Sequence, residues 1–469
     1  MKKLKKLLAF VISIVTVAGL FACGNPDSSG STEYDDGVAI EDLRGNERVV
    51  RILCDESLNI GAGYSDVVLK NRSAIISKND TSDVGKTSYR FTKAVHNYNV
   101  KNNGIRLNYL DWGWDYELTQ KLTNAFMSGG KGESPDVIVG ESQMIGYMEQ
   151  GLLQPFPDEL ASFIREKMLP ATYKALEKDG KIYGVAANPS CLQLVYNKAI
   201  LRACGVDETI IENGVSTWDE FVSVCQTVKT NGKGRYYAGG IYSGSSTGGY
   251  MRIAPFMIQA GGGYTDENGK PAFYSEGNVK ALELLRKIGA CNPTGGLSSS
   301  TEATMINQFT RGRYAFMVDG SWRVKMCEEA GLDVGYCKLP SPDGKTDVTL
   351  AVGLGYLAVP NYVSDPTDAF AVIKSYISDE AQSVLADADL RPVARLDIGS
   401  AADYKDRAPK QYDAFNILKN SELYILPSFG TDEAKIWQAF GEALVKTTTT
   451  DTPVADLLTA AQQAVSGLI

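Results

Sequence analysis

Residues 180–201 read Gly-Lys-Ile-Tyr-Gly-Val-Ala-Ala-Asn-Pro-Ser-Cys-Leu-Gln-Leu-Val-Tyr-Asn-Lys-Ala-Ile-Leu, and how this stretch folds decides the architecture. Lys181–Val185 opens at Gly180 as a short strand. Asn188-Pro189-Ser190 breaks it, and Leu192–Tyr196 resumes as a second apolar run before a helix near Lys198. Proline has no amide hydrogen and a fixed φ, so it kinks an extended chain instead of continuing a ladder. No Asn-Gly type pair is present to fold the two pieces into a hairpin. The pattern predicts a chain leaving one sheet and entering another, a crossover between two lobes. A cleft between lobes is a common small-molecule site.

The length agrees, since 469 residues exceed what one core supports. At the N-terminus Lys2, Lys3, Lys5 and Lys6 precede the 16-residue apolar segment Leu7–Ala22. This form is a secretory signal, too short and wrongly flanked for a membrane span. Leu20-Phe21-Ala22-Cys23 resembles the bacterial lipoprotein box, which implies that Cys23 becomes the lipidated N-terminus. An unlipidated secreted chain is the competing reading. Gly24–Gly45 is polar and turn-rich, so residues 23–47 are expected to be a flexible tether. A lipid on such a tether implies work just outside a membrane.

Without residues 1–22 the chain carries 43 basic and 56 acidic side chains, a net charge of −13. That balance argues against nucleic acid and polyanions and leaves neutral or cationic ligands open. Cys54, Cys191, Cys204, Cys225, Cys291, Cys327 and Cys337 are odd in number and scattered, most of them inside apolar runs. Buried thiols fit this better than a disulfide framework, with room for one bridge whose pairing the sequence does not fix.

Along the chain, strands are expected at Arg48–Cys54, Ile105–Leu110 and Pro135–Val139, and helices at Phe91–Val100 and Tyr116–Phe126. The alternation makes an α/β lobe with a largely parallel sheet, which binds ligands at the carboxyl ends of its strands. Asp55–Arg90 is polar, irregular and longer than an ordinary connection. Thr217-Trp218-Asp219-Glu220-Phe221 reads as a capping box, and Asn278–Ile288 as an amphipathic helix. Tyr314–Val318 is a strand running into Asp319-Gly320-Ser321-Trp322. Val348–Val359 is a second crossing and Leu423–Leu426 a third. Two helices close the chain at Glu433–Lys446 and Val454–Val465, the latter with Thr452 as its cap.

Several of these pieces, in this order, resemble the family-one extracellular solute-binding proteins of ABC transporters, the maltose-binding-protein-like group. They are Pro135-Asp136-Val137, Glu149-Gln150-Gly151-Leu152-Leu153, Tyr196-Asn197-Lys198, Thr217–Phe221, Gln259-Ala260-Gly261-Gly262, Gly312–Met317 with Gly320-Ser321-Trp322, and Leu339-Pro340 ahead of Gly353–Pro360. The resemblance implies a two-lobed periplasmic-binding-protein-like α/β fold whose hinged lobes each carry a mainly parallel sheet. It places residues 48–187 and 353–422 in the N-terminal lobe, and 188–352 and 423–469 in the C-terminal lobe. It also implies a monomer, without cofactor or metal, that closes on a carbohydrate and delivers it to a membrane permease.

Sugars offer apolar ring faces and paired hydroxyls, so their sites need flat aromatics and planar polar side chains. Trp322 and Trp437 match stacking positions of the family, with core packing as the competing reading for each. Trp112 and Trp114 alternate at a strand end, so at most one faces a cleft. Glu141, Ser142 and Gln143 match a loop of polar sugar contacts, and Tyr250 and Arg252 match a second contact region. Surface roles compete in both cases. Asp319 reads as support for its turn, and Ser190 stands where some members carry a carboxylate. His96 is the single histidine, and no P-loop or Gly-x-Ser-x-Gly occurs, so binding is expected rather than catalysis. A surface-anchored carbohydrate-active enzyme, needing only two carboxylates, and a polyamine- or peptide-binding version of the same fold are the alternatives.

Overall fold

A computed structural model describes residues 39, 41, 43–54, 83–113, 115–298, 301–352, 354–427, 429 and 432–468. The expected signal peptide, Cys23, most of the Asp55–Arg90 stretch and Trp114 lie outside the described residues.

The first lobe is built from alternating elements. β1 (Arg48–Leu53), α1 (Asp83–Tyr98) and β2 (Ile105–Leu110) form a unit in which the two strands pair in parallel, Arg48 with Ile105 through Leu53 with Leu110. α1 begins at Asp83, inside the stretch expected to be irregular, and buries Phe91 and Val95, four residues apart on one face. α2 (Asp115–Ser128) buries Leu118, Leu122 and Ala125 in the same way. β3 (Ile138–Gly140) follows Val137, which bridges in parallel to Ile52 of β1.

After β4 (Val185–Ala186) the Pro189 kink leads into β5 (Ser190–Asn197), every residue of which is buried. Asn197 then caps α3 (Lys198–Ala203), its side chain accepting from the Ile200 amide. α4 (Trp218–Gly232), β6 (Tyr237–Gly240), α5 (Thr247–Gln259), α6 (Glu276–Gly289) and α7 (Glu302–Thr310) follow. Next come β7 (Tyr314–Gly320), α8 (Trp322–Glu329) and β8 (Val334–Cys337). β5 runs antiparallel to both β7 and β8, while β6 joins β7 in parallel.

β9 (Val348–Val352) runs antiparallel beside the start of β5, and β10 (Tyr356–Ala358) returns to the first lobe between β3 and β4, antiparallel to both. α9 (Thr367–Tyr376), α10 (Asp379–Ala388) and α11 (Pro409–Asn420) cover that lobe. β11 (Glu422–Tyr424) then pairs in parallel with β9, before α12 (Glu433–Thr449) and α13 (Val454–Val465). The second-lobe sheet is therefore mixed, and in the first lobe the parallel β1–β2 pair and the antiparallel β3–β10–β4 sheet meet through the Ile52–Val137 bridge. β5 and β10, which arrive from the other lobe, run against their new neighbours, whereas β11, arriving last, lies parallel to β9.

Two large hydrophobic clusters result. Cys191, Ala351, Leu423 and Ile425 belong to the first, and Leu192, Leu350, Tyr424 and Leu426 to the second. The side chains thus change core within a residue or two on each of the three chain segments. This is a two-lobed α/β fold.

Local chemistry differs from expectation at four places. Thr217 Oγ1 accepts from the Glu220 amide as a cap should, but the returning Glu220 carboxylate takes the Ser216 amide, one residue further out. Thr452 does not cap α13. Pro453 holds that position, and the Thr452 carbonyl accepts from Arg286 instead. Trp322 opens a helix rather than ending a strand, because β7 extends through Gly320. The expected free tether is shortened at its inner end: Asn97 donates to the Ala39 carbonyl and accepts from the Glu41 amide, and His96 Nε2 lies 3.2 Å from the Glu41 carbonyl. None of the seven described cysteines is joined in a disulfide, and six of them are buried.

Candidate functional site

The loop that turns β7 into α8 is fixed by charge. Arg252 on α5 is fully enclosed, and its Nε donates to the Val318 carbonyl at 2.8 Å and its Nη1 to the Gly248 carbonyl at 2.9 Å. Its Nη2 reaches Glu302 at 2.6 Å and the buried Asp319 at 2.9 Å. Burial pulls the proton affinity of this guanidinium down, and Asp319 followed by Glu302 more than restores it. Asp319 also accepts from the Gly320 amide at 2.7 Å and from Arg323 Nε at 3.3 Å. Two cations and two anions so tie α5, α7, β7 and α8 together. Arg252, expected at the ligand, is instead an internal tie, and Asp319 supports the turn as its sequence context suggests.

Trp322 follows directly and is half-buried. Its indole folds back over Gly320, where any Cβ would overlap the ring, so glycine is required there for close approach. The guanidinium carbon of Arg391, a first-lobe residue between α10 and α11, lies 5.4 Å from the ring centroid. Beneath, Ser190 and Ser321 share a hydrogen bond of 2.7 Å. Arg391 carried no signal in the sequence. It is one arginine before a proline, and only folding brings it to Trp322.

Trp437 is also half-buried, beside the buried Ile436, Phe440 and Leu444 of α12. One face stacks on Tyr250 at 4.8 Å and 9°, with Tyr264 and Phe429 edge-on at 4.9 and 5.2 Å. Tyr250 is 6% exposed and hydrogen-bonds Ser245 through its hydroxyl. Burial, eased slightly by Ser245, raises its phenol pKa. The structure thus brings Tyr250 together with Trp437, and Arg252 onto Asp319, three residues before Trp322.

In the first lobe, Gln143 opens a short helix and its side-chain oxygen accepts from the Glu141 amide at 3.0 Å. Glu141 lies near the buried Tyr356 phenol, whose pKa is raised by burial first and by that carboxylate second. Trp112 packs against the first core and lines an open groove of about 370 Å³ with Lys121, Asn124 and Ser128. Trp218 is structural, its Nε1 donating to Gln259 and to the Pro340 carbonyl, both at 3.1 Å.

Residues 93–410 match the family model of bacterial extracellular solute-binding proteins. The chain belongs to that family. Among curated relatives it is 24% identical to the maltodextrin-binding protein MdxE of Bacillus subtilis, over 61% of this chain and 66% of that one. It is 25% identical to the maltotriose-binding protein of Pyrococcus abyssi, over 49% and 48%. The chain thus spans about half to two thirds of the length of the curated relatives it matches. The solved cyclic α-maltosyl-1,6-maltose binding protein of Arthrobacter globiformis superposes with a TM-score of 0.67 at 18% identity, covering 90% of this chain and 98% of that one. Maltose-bound MalE3 of T. maritima gives 0.66 at 17%, covering 90% and 100%. At these identities the structural likeness shows the fold.

Proposed function

We propose that this solute-binding protein takes an oligosaccharide between its lobes, as the binding subunit of an ABC importer, and passes it unaltered to a membrane permease. The observation that carries the reading is the triple change of core at residues 191–192, 350–351 and 423–426. Three short extended segments that join the two clusters are where hinge motion is proposed to act. The lobe boundaries drawn from sequence are proposed to act as these hinges. Trp322, Trp437, Tyr250, Glu141, Gln143 and Trp112 are proposed to line the ligand's path, with Arg252 acting through the loop it fixes. Ligand touching both lobes favours closure by its differential affinity for the closed form.

A neutral ligand is favoured over a polyamine because Arg391 already presents a cation at the Trp322 ring. Binding is favoured over hydrolysis because the solved structures it resembles include sugar-binding proteins. Among the described residues no helix is long and apolar enough to cross a membrane. We assign attachment at the outer face of the membrane to a lipid on Cys23, and Cys23→Ala is expected to release the protein from the membrane fraction.

Thermal unfolding with maltotriose, a galactooligosaccharide, an arabinooligosaccharide and spermidine tests the reading. One sugar at a hundred times its Kd adds about 2.7 kcal/mol of stability and is recovered intact. Stabilisation by spermidine alone, or recovery of cleaved sugar, overturns it.

A further inference from the structure

The first lobe holds α8 at both ends. Arg391 lies over Trp322, the first residue of the helix, while Lys410 at the start of α11 pairs with Glu328 in its last turn at 3.3 Å. The segment making these contacts is itself fixed. Asp389, in a left-handed conformation at the end of α10, accepts from the Lys410 and Gln411 amides at 3.0 and 3.2 Å and from Lys410 Nζ at 2.9 Å. Pro392 restricts Arg391 to extended backbone. Arg391 is 7% exposed, so its guanidinium is largely enclosed where it meets the ring.

A pyranose stacked on an indole needs about 4 Å on each side of the sugar ring. The 5.4 Å between the Trp322 ring centroid and the Arg391 guanidinium leaves no room for one in between. One face of the indole's six-membered ring already lies against the Gly320 backbone.

We propose that Arg391 is a built-in competitor for the stacking face of Trp322, a first-lobe cation that a sugar ring must displace before it can rest there. This inference depends on the proposed role of Trp322 as a sugar platform. A contact made only while the sugar is off that face subtracts its own worth from sugar affinity. Arg391 thereby sets the threshold concentration at which the protein loads, and it discriminates against cationic solutes at the same ring.

Isothermal titration of the full chain decides it, using whichever of maltotriose, the galactooligosaccharide or the arabinooligosaccharide stabilises the protein. Arg391→Gln is expected to tighten binding by between about 2-fold and about 30-fold, the span of a partly desolvated cation–π contact. Arg391→Lys keeps the charge without the planar stack and is expected to tighten it less. It decides the sign if the glutamine variant does not fold. Unchanged or weaker binding in the folded variant overturns the competitor role, weaker binding meaning that Arg391 grips the sugar directly. Trp322→Ala separates the two levels. If it leaves sugar affinity unchanged, the platform assignment fails and this inference with it. If it weakens binding while the Arg391 variants do not tighten it, only this inference fails.

Discussion

Replacing Asp319 by Asn tests whether the charged tie holds the β7–α8 loop. The side chain keeps its size, and its Oδ1 still accepts from the Gly320 amide, so the change isolates the lost charge. Arg252 is fully enclosed with four donor contacts and relies on two anions, Asp319 with a fully buried side chain and Glu302 with 30% of its side chain exposed. Removing the buried anion leaves the guanidinium with the more weakly coupled, partly solvated one. Breaking a buried ion pair from one side costs about 3–5 kcal/mol, and the surviving Glu302 contact places this case near the lower end, about 3 kcal/mol. The assay is urea unfolding followed by tyrosine and tryptophan fluorescence, with the slope checked for constancy. Arg252→Met alone is expected to cost less, because Asp319 retains Arg323 at 3.3 Å. The double change Arg252→Met/Asp319→Asn is expected to cost less than the sum of the two. Loss below about 1 kcal/mol for Asp319→Asn, or strict additivity in the cycle, refutes the reasoning.

Trp437→Ala is expected to lower stability by about 3 kcal/mol as well as sugar affinity, since it removes a stacked ring from the Tyr250–Tyr264–Phe429 cluster, and denaturant midpoints check the first part. His96, buried at the docked Glu41 carbonyl, has its pKa lowered by burial below the ordinary value near 6.5, against smaller opposing effects of Glu41 and Glu47. The unfolded chain therefore takes up the proton first, and stability falls as pH drops below about 6.5. His96→Asn flattens that part of the Tm profile between pH 5 and 7. Burial pushes the Cys327 and Cys337 thiols up to about 12, so a thiol reagent at pH 8 is expected to label neither until the protein unfolds.

Much was legible in the chain because it is local. Hydrophobic periodicity placed the second half of α1, α2, α6, α12 and the strands around Ile105 and Tyr314, and Asn188-Pro189-Ser190 lies next to the change of core at 191–192, since a proline kink and an apolar restart are properties of neighbouring residues. The half-burial of Trp437 beside its apolar stripe followed from helical geometry alone. Tertiary structure decided what depends on residues far apart in sequence. Arg252 read as an exposed contact near a glycine-rich loop, yet Asp319 and Glu302, 67 and 50 residues away, enclose it. The second-lobe sheet became mixed because β5, entering from the opposite lobe, runs against its neighbours, a matter of topology that composition does not encode. Arg391 reaches Trp322 across 69 residues and two lobes. A side chain's propensity is written in its own residue, whereas its partner is chosen by the folded chain.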